Sequence, residues 1–368
     1  MHYKRIVIKI GTSTITDEHG HLNLPQMRIL VEQVTQMSQQ GREVILVTSG
    51  AIGAGVGRLE LHTRPETIRE KQAVAAVGQT HLMKHYEEIF NEFGFKVAQI
   101  LLTQEDMRAR ERYLNARNTI MTLLEYKVIP IINENDTVAV DEIRFGDNDT
   151  LSAMVASKIE ADLLIILSDV SGLYTADPRK DKEAELIHVV DDITDEVERI
   201  ALKSTGSTRG VGGMYTKIQA AKIATVSGVM VVIADGMKAG VLKEIFAGDD
   251  IGTKFLPRQE KISGRKKWIA FANKSCGKIM VDSGAVKALT KNGKSLLPSG
   301  IISCEGDFRL GDMVTVVDED GDEIARGLVS FSGDEVQKIK GKKTTEIAKI
   351  LGHSDYDEVI HRDNLVIL

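Results

Sequence analysis

Cysteine is scarce in this chain: Cys276 and Cys304 are the only two among 368 residues. That is too few for a disulfide framework. A chain of this length buries about three quarters of the surface it exposes when unfolded, so packing alone can hold it. Long apolar runs are missing too. Stretches such as Leu163 to Leu167 and Val229 to Ala234 fall far short of the ~20 residues a membrane span requires. Near the N terminus Lys4 and Arg5 precede only Ile6 to Ile8 before Lys9 interrupts, too short for a secretory signal. With so little cysteine, the expectation is a reducing cytoplasm. Excess positive charge is also lacking. Lys plus Arg is 47 against 53 Asp plus Glu, net −6, the wrong sign for gripping nucleic-acid phosphates over the whole surface.

What is present reads as an ordinary globular protein, with 42% hydrophobic and 27% charged residues. At roughly 150 residues per domain, the length suggests two domains. Up to about residue 256, β-branched runs alternate with helical patterns, which predicts an α/β protein with a mostly parallel sheet covered on both faces. Strands are expected at Arg5 to Ile10, Glu43 to Thr48, Lys96 to Leu101, Val128 to Ile132, Leu163 to Leu167 and Val229 to Ala234. Between the first two, Met27, Leu30, Val31, Val34 and Met37 recur at helical intervals and Gly41 stands where a C-cap belongs. Further helices are expected over 66–93, closed by Gly94, and over 151–159.

Composition then shifts. Residues 257–275 begin at Pro257 and carry Arg258, Lys261, Arg265, Lys266, Lys267 and Lys274 against Glu260 alone, so they read as a linker. Residues 276–368 hold short strands, Ile279 to Asp282, Met313 to Val317 and Ile324 to Leu328, with an Asp320-Gly321 turn between the last two. This second, β-rich domain has 12 basic and 16 acidic side chains, net −4, giving it no overall attraction for RNA. The expected division is 1–256, 257–275 and 276–368.

Open α/β sheets bind ligands beyond the carboxyl ends of their strands. After the first strand come Lys9, Gly11, Thr12 and Ser13; after the second come Ser49, Gly50, Ala51, Gly53 and Gly55. Glycine lets backbone N–H groups approach an anion, although a tight strand-to-helix connection gives the same pattern. Asn133, Glu134, Asn135 and Asp136 follow the fourth strand, with Gly146, Asp147, Asn148 and Asp149 close behind. A metal site, Asx-type turns, or a pocket for an ammonium group and polar atoms all fit; the EF-hand spacing is absent. The run Gly210 to Lys217 opens a helical pattern, Ile218 to Val226, and resembles an anion-binding loop.

Two common nucleotide fingerprints fail. Walker A order occurs nowhere, Gly293-Lys294-Ser295 having Ala288 at the leading position, and Arg58 replaces the third glycine of a dinucleotide-binding turn. His81 and His85 are spaced like zinc ligands, but no Glu follows His81, so they read as a solvated helix face. Arg108, Arg110 and Arg112 read as a solvated helix or a subunit contact.

Six segments together carry a resemblance: Lys9-Ile-Gly-Thr-Ser, Thr48-Ser-Gly-Ala-Ile-Gly-Ala-Gly, Asn133-Glu-Asn-Asp, Gly146-Asp-Asn-Asp, Ser168-Asp-Val-Ser-Gly-Leu-Tyr-Thr-Ala-Asp-Pro and Gly212-Gly-Met-Tyr-Thr-Lys. They resemble the glutamate 5-kinases of the amino-acid kinase family, and the β-rich tail is similar to a PUA domain. The resemblance implies a three-layer α/β/α sandwich with a mostly parallel sheet, plus a small PUA-like barrel. It implies transfer of the γ-phosphoryl group of ATP to the side-chain carboxylate of L-glutamate, feeding proline synthesis.

By the same resemblance Lys9, Lys217 and Asp149 are the catalytic residues, with Lys9 on the phosphates and Asp149 holding both ammonium groups. Ser49, Asp136 and Asn148 would contact glutamate, with Gly50, Asn133 and Asp147 as neighbours. Lys9, Ser168, Asp169, Gly210, Val211, Gly212, Gly213, Met214, Tyr215 and Thr216 would face the nucleotide. Ser168 stands where threonine is more usual in the family. Mg²⁺ would ride on the ATP phosphates without a dedicated protein site; L-proline is the implied feedback inhibitor, and a dimer or tetramer the implied assembly. The chemistry suits these residues, since a carboxylate acceptor is already ionised and needs cations around the transferring oxygens instead of a general base. The rival readings are another amino-acid kinase, an RNA-binding protein using its tail, and a dinucleotide-binding oxidoreductase.

Overall fold

A computed structural model describes residues 3–17, 19–138, 148–204, 213–257, 275–352 and 356–367. They fall into two units, 1–260 and 261–368. In the first, the described elements run β1 (Arg5–Ile10), α1 (Thr12–Ile15), α2 (Leu24–Gln39), β2 (Glu43–Thr48), α3 (Ala51–Arg58), α4 (Ile68–Glu92), β3 (Val97–Leu102), α5 (Gln104–Arg108), α6 (Arg110–Glu125) and β4 (Ile129–Glu134). They continue with α7 (Asn148–Lys158), β5 (Leu163–Ser168), β6 (Val189–Val190), α8 (Asp195–Ser204), α9 (Met214–Val226), β7 (Met230–Asp235), α10 (Val241–Ala247) and β8 (Thr253–Phe255). The sheet order is β3-β4-β2-β1-β5-β7-β8-β6, parallel throughout except where β8 runs against β7.

Period-two alternation divides each strand between two layers of helices. Ile6, Ile8 and Ile10 of β1 pack with Leu30, Val34, Leu82 and Val241, on the side of α2, α4 and α10. Val7 packs with Leu151, Val155, Ile218 and Ala221, on the side of α7 and α9. The result is the three-layer sandwich. All six expected strands are present, four of them with ends moved by one or two residues, because pairing continues through polar ends such as Glu134 and Ser168 that an apolar pattern excludes. The two short strands β6 and β8 at one end of the sheet were not anticipated, being two and three residues long.

The segment after β2 corrects the reading of it as a glycine-rich turn. Only Gly50 turns, with φ +98°, and residues 51–58 form α3. Gly55 faces α4, where a Cβ would lie 2.0 Å from the Val74 carbonyl oxygen. Reciprocally, a Cβ on Gly78 of α4 would lie 1.8 Å from the Ala51 carbonyl oxygen. These glycines let two helix backbones touch. Helix α4 itself starts at a Thr67–Glu70 capping box.

His81 and His85 also depart from expectation. Both are half-buried on α4, their rings meeting edge to face with centroids 4.6 Å apart. Burial, and then the neighbouring His85, lowers the His81 pKa. Arg112 of α6 is exposed and bonds Asp106 at 2.9 Å; the side chains of Arg108 and Arg110 lie outside the described ones.

In the second unit β9 (Gly277–Val281), β10 (Ile301–Glu305), β11 (Met313–Val317), β12 (Glu323–Leu328) and β13 (Leu365–Ile367) form a mostly antiparallel sheet ordered β10-β9-β11-β12-β13. Its core gathers Ile279, Phe308, Val314, Phe331 and Ile360. The expected turn joins β11 to β12, with Gly321 at φ +90°. Most of the basic stretch, 258–274, lies outside the described residues. Neither Cys276 nor Cys304 forms a disulfide. Among the described residues no helix is long and apolar enough to cross a membrane.

Candidate active site

Strand alternation puts Lys9 on the same face of β1 as Val7, the face covered by α7 and α9. Each of those helices supplies one charged residue from its first turn: Asp149 from α7, Lys217 from α9. The three meet. Lys9 Nζ pairs with Asp149 Oδ1, and Lys217 Nζ donates to Asp149 Oδ2 at 3.2 Å. Thr216 Oγ1 donates to the Gly213 carbonyl at 2.8 Å and lies 3.3 Å from the same Asp149 oxygen. Exposure is 5% for Lys9, 0% for Asp149 and 3% for Lys217, so solvent screens these charges little. Two ammonium groups on one carboxylate leave a net cation, and residues 9, 149 and 217 are remote in sequence. A Cβ on Gly11 would lie 3.8 Å from Lys9 Nζ and 3.2 Å from the Leu167 carbonyl oxygen of β5.

Next to this cluster opens a cavity of about 780 Å³. Ser49, Gly50, Asn133, Asp136 and Asn148 all line it. Asn148 directly precedes Asp149, so the start of α7 shows one residue to the cavity and the next to the lysines. Asn148 Nδ2 donates to Ser49 Oγ at 3.1 Å and to Asn133 Oδ1 at 3.2 Å. Burial pushes the Asp136 carboxyl up to about 6. The cavity continues to Thr12, from the first segment of the resemblance, and to Asp17, His21, Arg64 and Lys71, which no motif marks.

Of the residues expected to face a nucleotide, Ser168 ends β5, is buried, and donates to Asp169 Oδ1 at 3.0 Å. Asp169 is exposed. Met214, Tyr215 and Thr216 were expected in a loop that opens a helix at Ile218; they instead form the first turn of α9, capped by Gly213. The helical pattern was invisible there because Gly212 and Gly213 precede it and Thr216 and Lys217 are polar. Asp147, Gly210, Val211 and Gly212 lie outside the described residues. Among the described residues no three His, Cys, Asp or Glu side chains gather as metal ligands.

Cations fixed beside a polar pocket at the strand ends stabilise a transferring anion, the provision a phosphotransferase makes. Residues 4–235 match the amino acid kinase family and residues 277–351 the PUA domain; the chain belongs to the amino acid kinase family. Similar curated relatives include the glutamate 5-kinase of Thermoanaerobacter sp. (strain X514), 58% identical over 364 residues, 99% of this chain and 98% of that one. The glutamate 5-kinase of Moorella thermoacetica is 53% identical over 99% of this chain and 96% of its own. That of Geobacter sulfurreducens is 52% identical over 99% and 98%.

Proposed function

We propose that this protein transfers the γ-phosphoryl group of ATP to the side-chain carboxylate of L-glutamate, making L-glutamyl 5-phosphate, the first step of proline synthesis. The observation that carries the reading is the helix start where Asn148 faces the cavity while Asp149 holds Lys9 and Lys217. Full-length similarity to curated glutamate 5-kinases supports it. In this reading the cavity seats glutamate, and its side-chain carboxylate attacks the γ-phosphorus in line. Lys9 neutralises the phosphates, Lys217 the charge that grows on the transferring oxygens, and Asp149 keeps both ammonium groups aimed. Ser168, Asp169 and Met214 to Thr216 face the nucleotide in this reading, and the resemblance adds residues 210–213 to them.

Both Asp149 oxygens are engaged by lysines, so Mg²⁺ would be held by the ATP phosphates and would neutralise part of their charge. The same reading makes L-proline a feedback inhibitor that competes for the cavity, the protein a cytoplasmic dimer or tetramer, and nucleic acid no partner. Mixing protein, ATP, Mg²⁺ and L-glutamate with hydroxylamine tests the reaction, because hydroxylamine intercepts an acyl phosphate as a coloured hydroxamate. A signal that requires glutamate is expected; its absence rejects the assignment.

Asp136 supplies a second test. An ammonium group needs the carboxylate form, which predominates above about pH 6 because burial has raised this group. The KM for glutamate should therefore rise as pH falls through 6, with the KM for ATP changing less. Asp136→Asn should raise the glutamate KM at pH 8 and flatten this pH profile. The raised folded-state pKa also means that ionised Asp136 destabilises the ligand-free fold above pH 6, so the Asn variant should melt a few degrees higher at pH 8. A variant with wild-type glutamate KM removes Asp136 from the site.

A further inference from the structure

We propose that Gln79 is a positioning residue for the amino-acid substrate, acting through Asn133 to fix which end of the Asn148 carboxamide meets the ligand. The proposal rests on the glutamate reading above. Its starting point is one unambiguous donor. The backbone N–H of Glu134 donates to Asn133 Oδ1 at 2.9 Å, and a backbone amide can only donate, so it decides which end of Asn133 is oxygen. Asn133 Nδ2 then points away and donates to Gln79 Oε1 at 2.7 Å.

On the other side, Asn133 Oδ1 also accepts from Asn148 Nδ2 at 3.2 Å. That contact commits Asn148 to presenting nitrogen toward Asn133 and toward Ser49 Oγ. Asn148 Oδ1 is left buried with no hydrogen-bond partner among the described residues. A buried acceptor without a partner is costly in a folded protein, and here it belongs to a residue that lines the cavity. A substrate ammonium group would satisfy it. Ser49 Oγ, accepting from Asn148, keeps its own proton to offer a carboxylate. The wall thus shows one acceptor and one donor, the polarity a zwitterionic amino acid needs.

Gln79 reaches this relay from behind the cavity wall and is not among the residues that line it. On α4 it occupies the stripe formed by Ala75, Leu82, Tyr86 and Phe90, all buried, so it points at the sheet where an apolar residue would be usual. By strand alternation Asn133 shares the face of β4 that carries Ile131 and Ile129, the face that packs with α4. Removing the Gln79 acceptor leaves the amide of Asn133, itself 1% exposed, without a partner. The chain of orientations ending at Asn148 Oδ1 then loses its anchor.

The test compares Gln79→Met, which keeps the shape and removes the acceptor, with Gln79→Glu, which keeps an acceptor facing Asn133 Nδ2. Steady-state kinetics and melting temperature are measured on the full chain. Gln79→Met is expected to raise the KM for glutamate about tenfold, the effect of one buried hydrogen bond. Its kcat and its KM for ATP should stay within about twofold. Gln79→Glu should recover most of that tenfold loss, and it carries the test alone if the Met variant does not fold. Wild-type glutamate KM in Gln79→Met, equal losses for both substrates, or a tenfold loss in Gln79→Glu overturns the proposal while the glutamate reading stands. A wild-type protein that forms no glutamate-dependent hydroxamate overturns that reading and this proposal together.

Discussion

Lys217→Ala is expected to lower kcat by about 10² to 10³, the usual effect of removing one electrostatic donor to a transition state, with little change in the KM for glutamate. Lys217 comes from the first turn of α9 and bonds Asp149 Oδ2, whereas the cavity is lined by Asn148 and its neighbours. Losing it removes charge from the phosphoryl side alone. The fold should tolerate the change, because Lys9 still neutralises Asp149. Truncating Asp149 instead strands two buried ammonium groups, at a cost of about 3 to 5 kcal/mol, so a loss of activity there would be hard to separate from unfolding. Lys217→Arg should not rescue: a guanidinium is a planar fork too large for a site where the native side chain is 3% exposed. Wild-type kcat in a folded Lys217→Ala protein takes this residue out of the mechanism.

Gly78→Ala is expected to be the most disruptive single methyl in the first unit. The new carbon would lie 1.8 Å from the Ala51 carbonyl oxygen and 2.4 Å from the Gly55 nitrogen. Both are backbone atoms, so no rotamer change relieves the clash and α3 must move off α4. Overpacking of this kind costs about 1 to 3 kcal/mol or more, about 2 to 4 °C of melting temperature per kcal/mol in a unit of this size. Gly55→Ala meets the Val74 carbonyl at 2.0 Å and should cost a similar amount. Once the helices have parted for one methyl, the second finds room, so the double variant should lose clearly less than the sum. Strict additivity in thermal unfolding would mean that the two glycines do not share one contact. Gly78 also precedes Gln79, so the same shift should raise the KM for glutamate.

The sheet was legible because each strand of the first unit's centre is a short aliphatic run, mostly β-branched outside β5, and its layers follow from the alternation within β1. The lysine pair was legible only through motif resemblance: neither Lys9 nor Lys217 differs in local pattern from a surface lysine, and their meeting depends on a strand face and two helix starts remote in sequence. Helix α3 was hidden because Gly53, Gly55 and Gly57 carry poor helix propensity, which packing against α4 overrides. Gln79 did leave a trace, a polar residue on the apolar stripe of α4. Its partner could not be guessed, since Asn133 comes from a strand 54 residues away.

Asn148 and Asp149 are consecutive at the start of α7, and successive helical residues project about 100° apart. A ligand that pins the first therefore steadies the second, and with it the two lysines. Without the amino acid Ser49 and Asn133 still hold the nitrogen of the first of the pair, while its buried oxygen has no partner among the described residues. In the proposed reading, amino-acid binding is thereby coupled to the placement of both cations through two adjoining peptide units.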